Sequence, residues 1–168
     1  SLRNSKIMVM GAGALGTQVS ELLTRMGAGK LIAVDKDIIE MTNLHRQTLY
    51  TEEDVKLMKP KVDALKEKLQ QINSEVEIIT LNTELAPHNI LKILKEHKPD
   101  IVIDSMDHFE IRFLINEACH KLNIPWVYGA AVGSKGSVYA IDSSGPCLKC
   151  LMDLSLIHIS EPTRLRRI

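Results

Sequence analysis

The chain has 168 residues, 45% of them hydrophobic and 25% charged, and its 21 basic and 21 acidic side chains leave no formal net charge. That size and composition fit one α/β domain with its own core and exclude two independent domains. No apolar run approaches the ~20 residues of a membrane span, no cleavable signal pattern opens the chain, and the charge balance gives no nucleic-acid surface. A cytoplasmic protein that touches neither membrane nor nucleic acid is expected.

In chain order, "KIMVM" (6–10) reads as a strand buried on both faces, entered straight from the N-terminus. It ends in Gly11, Gly13 and Gly16 and turns at once into a helix, with Leu15, Val19, Leu22, Leu23 and Met26 expected on its buried face. Gly27 and Gly29 are expected to end that helix through a left-handed residue, leading into a second buried strand, "KLIAVD" (30–35). Pro60 suits the first turn of a helix whose Val62, Leu65, Leu69 and Ile72 share a face, and "EVEIITL" (75–81) follows as a strand. The alternation repeats with a helix over 88–97, strand "DIVIDS" (100–105), and a helix striped by Ile111, Leu114, Ile115, Ala118, Cys119 and Leu122. Strands at 125–131 and 134–141 complete the pattern. This alternation predicts a Rossmann-like, doubly wound, mainly parallel sheet with helices on both faces. Residues 1–153 form the domain, incomplete as given. The stretch 154–168 breaks the pattern, ends in three arginines among five residues, and is expected to be a non-native or disordered tail.

In such sheets ligands bind beyond the carboxyl ends of the strands, which selects 11–16, 35–46, 104–108 and 129–133. A glycine-rich strand-to-helix turn lets backbone N–H groups and the helix N-terminus approach phosphate oxygens. Asp35, about 20 residues further on and ending the second strand, suits the ribose hydroxyls. Both NAD and ATP satisfy that much. The segment after Asp35 separates them, because it sets Asp37, Asn43, Arg46 and Gln47 in a loop where a dinucleotide fold usually moves straight into its next helix. A triphosphate needs cationic neutralisation, for which Arg46 and Lys61 are candidates. Its usual Mg²⁺ needs one or two carboxylates, for which Asp107 is the candidate. His45 and His108 are read as polar loop residues, Lys59 and Lys66 as solvated helix charges, and Cys119 as a core residue. Three cysteines make disulfides a poor guess, and the Cys147–Cys150 CxxC is open between half a zinc site, a redox pair and coincidence.

The order GAGALG, VDKD, TNLHRQ, KPKV, DSMDH, YGAA and CLKC resembles the ThiF/MoeB/HesA adenylyltransferases, relatives of the ubiquitin-activating enzymes, over residues 2–153. The resemblance implies an ATP-dependent enzyme that adenylates the C-terminal glycine carboxylate of a ubiquitin-like sulfur-carrier protein ending in Gly-Gly, working as a homodimer when complete. It implies that Gly11, Gly13, Gly16, Asp35 and Asp37 line the nucleotide site and that Asp35 holds the ribose. Asn43, Arg46 and Lys61 then face the phosphates, and Asp107 binds Mg²⁺; Arg46, Lys61 and Asp107 are the catalytic candidates. It also implies that Cys147 and Cys150 are half of a Zn²⁺ site closed by a second pair downstream. His108 departs from the family's usual Asn, and the family's arginine-bearing segment before the first strand lies outside this chain. The alternatives are an NAD-dependent oxidoreductase, a docking pseudoenzyme of the same fold, and the tRNA-modifying branch of the family.

Overall fold

The computed structural model describes residues 1–142 and 144–152; the stretch 154–168 lies outside them. Six strands form one sheet in the order β3-β2-β1-β4-β5-β6, comprising β1 (Lys6–Met10), β2 (Lys30–Asp35), β3 (Glu77–Asn82), β4 (Ile101–Asp104), β5 (Trp126–Val132) and β6 (Lys135–Ile141). All neighbours run parallel except the β5–β6 hairpin, which is antiparallel and leaves β6 at the edge. Five helices alternate with them: α1 (Ala14–Arg25), α2 (Glu52–Lys56), α3 (Lys61–Ile72), α4 (Ile90–His97) and α5 (Phe109–Leu122). A short 3₁₀ turn, Leu2–Asn4, precedes β1, so the chain does not enter the strand directly. Among the described residues no helix is long and apolar enough to cross a membrane.

The continuous apolar character of β1 follows from its position, since side chains alternate between two cores. Met8 and Met10 pack with Leu94 of α4 and Ile115, Ala118 and Cys119 of α5. Ile7 and Val9 pack with Val62, Leu65 and Leu69 of α3 on the other face. Pro60 sits at the N-cap of α3, whose buried stripe falls where its periodicity places it.

The buried face of α1 differs in part from expectation: Val19 and Leu23 pack against the core as expected, but the face is rotated toward smaller residues. Leu22 and Met26 are 59% and 67% exposed, whereas Gly16, Thr17, Ser20 and Thr24 are buried. The reason is the turn that launches the helix: a Cβ on Gly16 would lie 1.8 Å from the Gly11 carbonyl oxygen, so along the line of Gly16 the helix approaches too closely for large side chains. Small hydroxyl residues fill the contact, and the two threonines satisfy themselves locally, Thr17 Oγ1 donating to Gly13 O at 2.8 Å and Thr24 Oγ1 to Ser20 O at 2.8 Å. Only Gly27 of the expected pair is left-handed, with φ +76°. Gly29 serves packing instead, because a Cβ there would lie 2.1 Å from Arg3 O.

The order places the switch point between β1 and β4, where the chain winds away in opposite directions. The two strand ends touch there: Ser105 N–H donates to Met10 O at 2.8 Å, and a Cβ on Gly11, at φ +103°, would lie 2.8 Å from Ser105 O. The crevice above this contact is the fold's natural ligand position.

Candidate functional site

A cleft of about 600 Å³ opens above the switch point. All four segments selected from the sequence contribute to it, through residues including Gly11, Gly13, Asp35, Asp37, Asn43, Arg46, Asp107 and Ala130, and Lys61 joins them from outside those segments. Gly16 is not among the lining residues and acts by letting α1 approach the turn.

Gly13 differs from the other two turn glycines. Its φ of −85° is ordinary, and the nearest atom to an added Cβ is Gln47 Nε2 at 3.7 Å. The protein itself leaves room for a side chain there, so the missing Cβ opens space in the cleft, directly at the α1 N-terminus. The first four N–H groups of a helix have no intrahelical acceptor and carry the positive end of its dipole. This is a cradle for an anion such as phosphate.

The turn is held by two residues from other elements. Asp35, ending β2, accepts from Ala12 N–H at 2.7 Å and from Asp37 N–H at 2.8 Å, so its carboxylate braces the cleft wall as well as facing it. Tyr50 is 5% exposed, and its hydroxyl donates to Ala12 O at 2.8 Å and lies 3.2 Å from Lys61 O. Burial, followed by the charges of Asp35 and Asp54, pushes the Tyr50 phenol well above its ordinary value, keeping it protonated as a donor. Tyr50 thus ties the glycine turn to the start of α3.

Lys61 is the first residue of α3, and its side chain, 9% exposed, reaches Asp37 with an Nζ–Oδ2 distance of 2.7 Å. Asp37 is half exposed and also accepts from Lys61 N–H through its carbonyl at 2.9 Å. Asp37 therefore aims the lysine along the cleft. Arg46 is exposed and lines the cleft, with Nη1 donating to Thr42 O at 2.9 Å and lying 3.5 Å from His45 Nε2. Asn43 is buried, and its Oδ1 accepts from Glu40 N–H at 3.0 Å in a reciprocal cap of the 3₁₀ turn Met41–Asn43. Gln47 is also buried, and its Oε1 has no hydrogen-bond partner among the described residues.

Asp107 follows β4 at the cleft rim with its side chain 88% exposed, its one ion-pair contact among the described residues being His108 Nε2 at 3.6 Å. Among the described residues no three His, Cys, Asp or Glu side chains gather to cage a metal. A single hard carboxylate beside an anion cradle still fits Mg²⁺, which keeps waters and takes phosphate oxygens as ligands.

Behind this loop lie two residues that the sequence reading did not single out. Asp104 is fully buried and Arg112 is 6% exposed, with Asp104 Oδ2 3.6 Å from Arg112 Nη1. Burial pushes the Asp104 carboxyl up to about 6, against the Met106 N–H and the Arg112 charge, both of which favour its ionised form. Arg112 shares its helical stripe with Ile115 and Cys119, so a lone charge on an apolar stripe was the available signal.

Cys147 immediately precedes a short helix over 148–152 and Cys150 lies within it, and Leu148 N–H donates to Asn116 Oδ1 of α5 at 2.9 Å. Cys147 Sγ and Cys150 Sγ are 3.5 Å apart. Two thiolates at ~2.3 Å from one tetrahedral zinc would be about 3.8 Å apart, so this donor pair fits half of a zinc site. The Cys150 backbone N–H holds the Cys147 thiol below its ordinary value. Cys119 is fully buried, and burial pushes its thiol up to about 12, the behaviour of a core residue.

The ThiF family pattern matches residues 1–166. The chain is 41% identical over 153 residues to the sulfur carrier protein ThiS adenylyltransferase of Bacillus subtilis (strain 168), covering 90% of this chain and 45% of that protein. It is also 41% identical over 151 residues to the adenylyltransferase and sulfurtransferase MOCS3 of Culex quinquefasciatus, covering 89% of this chain and 34% of that one. The chain thus spans less than half the length of these two relatives. Among solved structures, E. coli MccB with ATP superposes with a TM-score of 0.77 at 29% identity, over 98% of this chain and 49% of that one. With the family pattern running over nearly its whole length, and with the glycine turn, the Asn43–Gln47 loop and Lys61 meeting in one cleft, the chain belongs to the ThiF family.

Proposed function

We propose that this chain is the nucleotide-binding domain of an ATP-dependent adenylyltransferase that activates the C-terminal glycine carboxylate of a ubiquitin-like sulfur-carrier protein. The observation that carries this reading is the convergence of an anion cradle at Gly13, two cationic side chains, Arg46 and Lys61, and an exposed carboxylate, Asp107, around one cleft. A hydride-transfer site has no use for that set, and the names of the relatives favour adenylyl transfer over an oxidoreductase. The likeness to MccB with ATP supports the same nucleotide.

In this reading Asp35 takes the ribose hydroxyls, and the α1 N-terminus with Gly13 N–H receives phosphate oxygens. Arg46 and Lys61 neutralise the remaining phosphate charge, and Asn43 faces the phosphates as an uncharged hydrogen-bonding partner. Asp107 would hold Mg²⁺, which supplies further neutralisation of the polyphosphate when bound. The attacking group is the carrier's terminal carboxylate, with a pKa of ~3.5 and so already ionised at neutral pH; no general base is required. Its oxygen forms a bond to the α-phosphorus as the bond from that phosphorus to the bridging oxygen breaks. Pyrophosphate leaves with the electron pair, and an acyl-adenylate remains for transfer to a thiol. Catalysis then rests on alignment and charge neutralisation. Cys147 and Cys150 would supply two of four ligands to a structural Zn²⁺. A homodimer is the proposed assembly.

The test is carrier-dependent ATP–pyrophosphate exchange in a protein carrying this domain at the relatives' full length. Arg46→Ala and Asp107→Ala are each expected to abolish exchange. Wild-type exchange in either variant removes that residue from its role.

A further inference from the structure

The exposed position of Asp107 raises the question of what holds it. Its side chain is 88% exposed, and among the described residues its ion-pair contact is the long one to His108, so packing does not fix it. The residue before it, in contrast, is gripped at both ends. Met106 N–H donates to Asp104 Oδ1 at 2.9 Å, and Met106 O accepts from Arg112 Nη2. Because a trans peptide is planar, the direction of the Met106 carbonyl fixes that of the Asp107 N–H and the point from which Asp107 departs. The same guanidinium donates through Nη1 to Gly129 O at 2.9 Å, and its Cζ stands 4.7 Å from the centre of the Tyr128 ring. Arg112 therefore joins the loop after β4 to β5, two of the four segments that build the cleft.

Burying a guanidinium is costly unless every donor direction is used, and a helix that needed only packing would carry an apolar residue at this position. The forked, planar shape of arginine is what allows one side chain to serve two carbonyls on different strands. We propose that Arg112 is a positioning residue: with Asp104 it clamps the Met106 peptide and so presets Asp107 to receive the cation that accompanies a nucleotide. The inference rests on the nucleotide reading of the cleft, and it assigns Arg112 no contact with the nucleotide.

Arg112→Met keeps length and apolar bulk, and Arg112→Lys keeps the charge but cannot bridge both carbonyls; the second serves should the first fail to fold. For wild type and variant, ATP affinity is measured by calorimetry in Mg²⁺ and again in EDTA, and amide hydrogen exchange at Met106 is measured without ligand. The expected result is a loss of about tenfold in affinity in Mg²⁺ with the EDTA value within about twofold of wild type. Exchange at Met106 should accelerate by about tenfold, while amides in β1 keep their protection. Equal losses in both buffers would reduce Arg112 to a general structural role and overturn the proposal, as would no loss in either. If wild type binds ATP in neither buffer, the nucleotide reading fails; unchanged exchange at Met106 then overturns the clamp, and accelerated exchange supports it.

Discussion

Two alanine substitutions three residues apart, at Gly13 and Gly16, should have opposite consequences. At Gly16 the new Cβ would stand 1.8 Å from Gly11 O and 2.7 Å from Gly11 C, backbone atoms that cannot yield without lifting α1 off the turn. Overpacking against flexible side chains costs about 1–3 kcal/mol, and a backbone overlap exceeds that range. Against a domain stability of about 5–15 kcal/mol, Gly16→Ala should lower the unfolding midpoint steeply. At Gly13 the backbone is compatible with alanine, and the nearest atom is 3.7 Å away. Loss of unfolded-state entropy stabilises by about 0.4–1 kcal/mol, and the poorer N-cap offsets a similar amount. The net change is within about 1 kcal/mol, or about 4 °C in Tm for a chain of this size. The methyl group would nevertheless stand in the anion cradle, so ATP binding should weaken at least about tenfold, the value of one charge-assisted hydrogen bond. Thermal unfolding and calorimetric titration of both variants test the pair. Gly13→Ala binding ATP as wild type does would refute the placement of phosphate at the α1 N-terminus.

Further expectations concern the residues around the turn. Tyr50→Phe leaves two buried carbonyls, Ala12 O and Lys61 O, without the hydroxyl, and denaturant unfolding should show a loss of about 1–2 kcal/mol; an unchanged midpoint contradicts the tie. Lys61→Met releases a half-exposed Asp37, so stability should change by less than about 1 kcal/mol while pyrophosphate exchange falls by about 100-fold or more. Retained exchange removes Lys61 from the site. The Asp104 carboxyl is raised to about 6 in the folded state against ~3.9 unfolded, so between those values the native protein binds the extra proton. Stability from this group is therefore fully present below about pH 4 and is lost as pH rises through about 6, by about 3 kcal/mol in all. Asp104→Asn should remove that slope in unfolding measured from pH 4 to 7, and a wild-type-minus-variant difference independent of pH would contradict it.

The elements legible in the sequence were those whose burial is set by their own periodicity. β1, β2 and α3 carry unbroken or 3.6-spaced apolar residues, and all three lie where that pattern puts them. The α1 face was misread because its burial is set by distance to the sheet: Gly16 forces close approach, and small polar residues then win over Leu22 and Met26. Gly29 was misread similarly, since its need is for space beside Arg3 and not for a left-handed turn. The antiparallel β6 follows from a two-residue connection too short for a crossover helix. At the site, the nucleotide-site residues carried by motif line one cleft, Gly16 excepted, because they stand at strand ends, at helix starts or in the loop that follows β2. Tyr50 and Arg112 take their roles from contacts 38 and 17 residues away, Tyr50 reaching Ala12 and Arg112 reaching Gly129, which sequence spacing does not reveal; for Arg112 the one local signal is its charge on an apolar stripe, and Asp104 matters through Arg112 as well as through its local bond to Met106.

Calorimetric titration of the purified chain with Mg-ATP and, separately, with NAD, repeated on Asp107→Ala, tests the nucleotide reading most directly. Saturable Mg-ATP binding that weakens in the variant, with no heat from NAD, is the predicted result. Binding of NAD alone would contradict it and return the cleft to hydride-transfer chemistry.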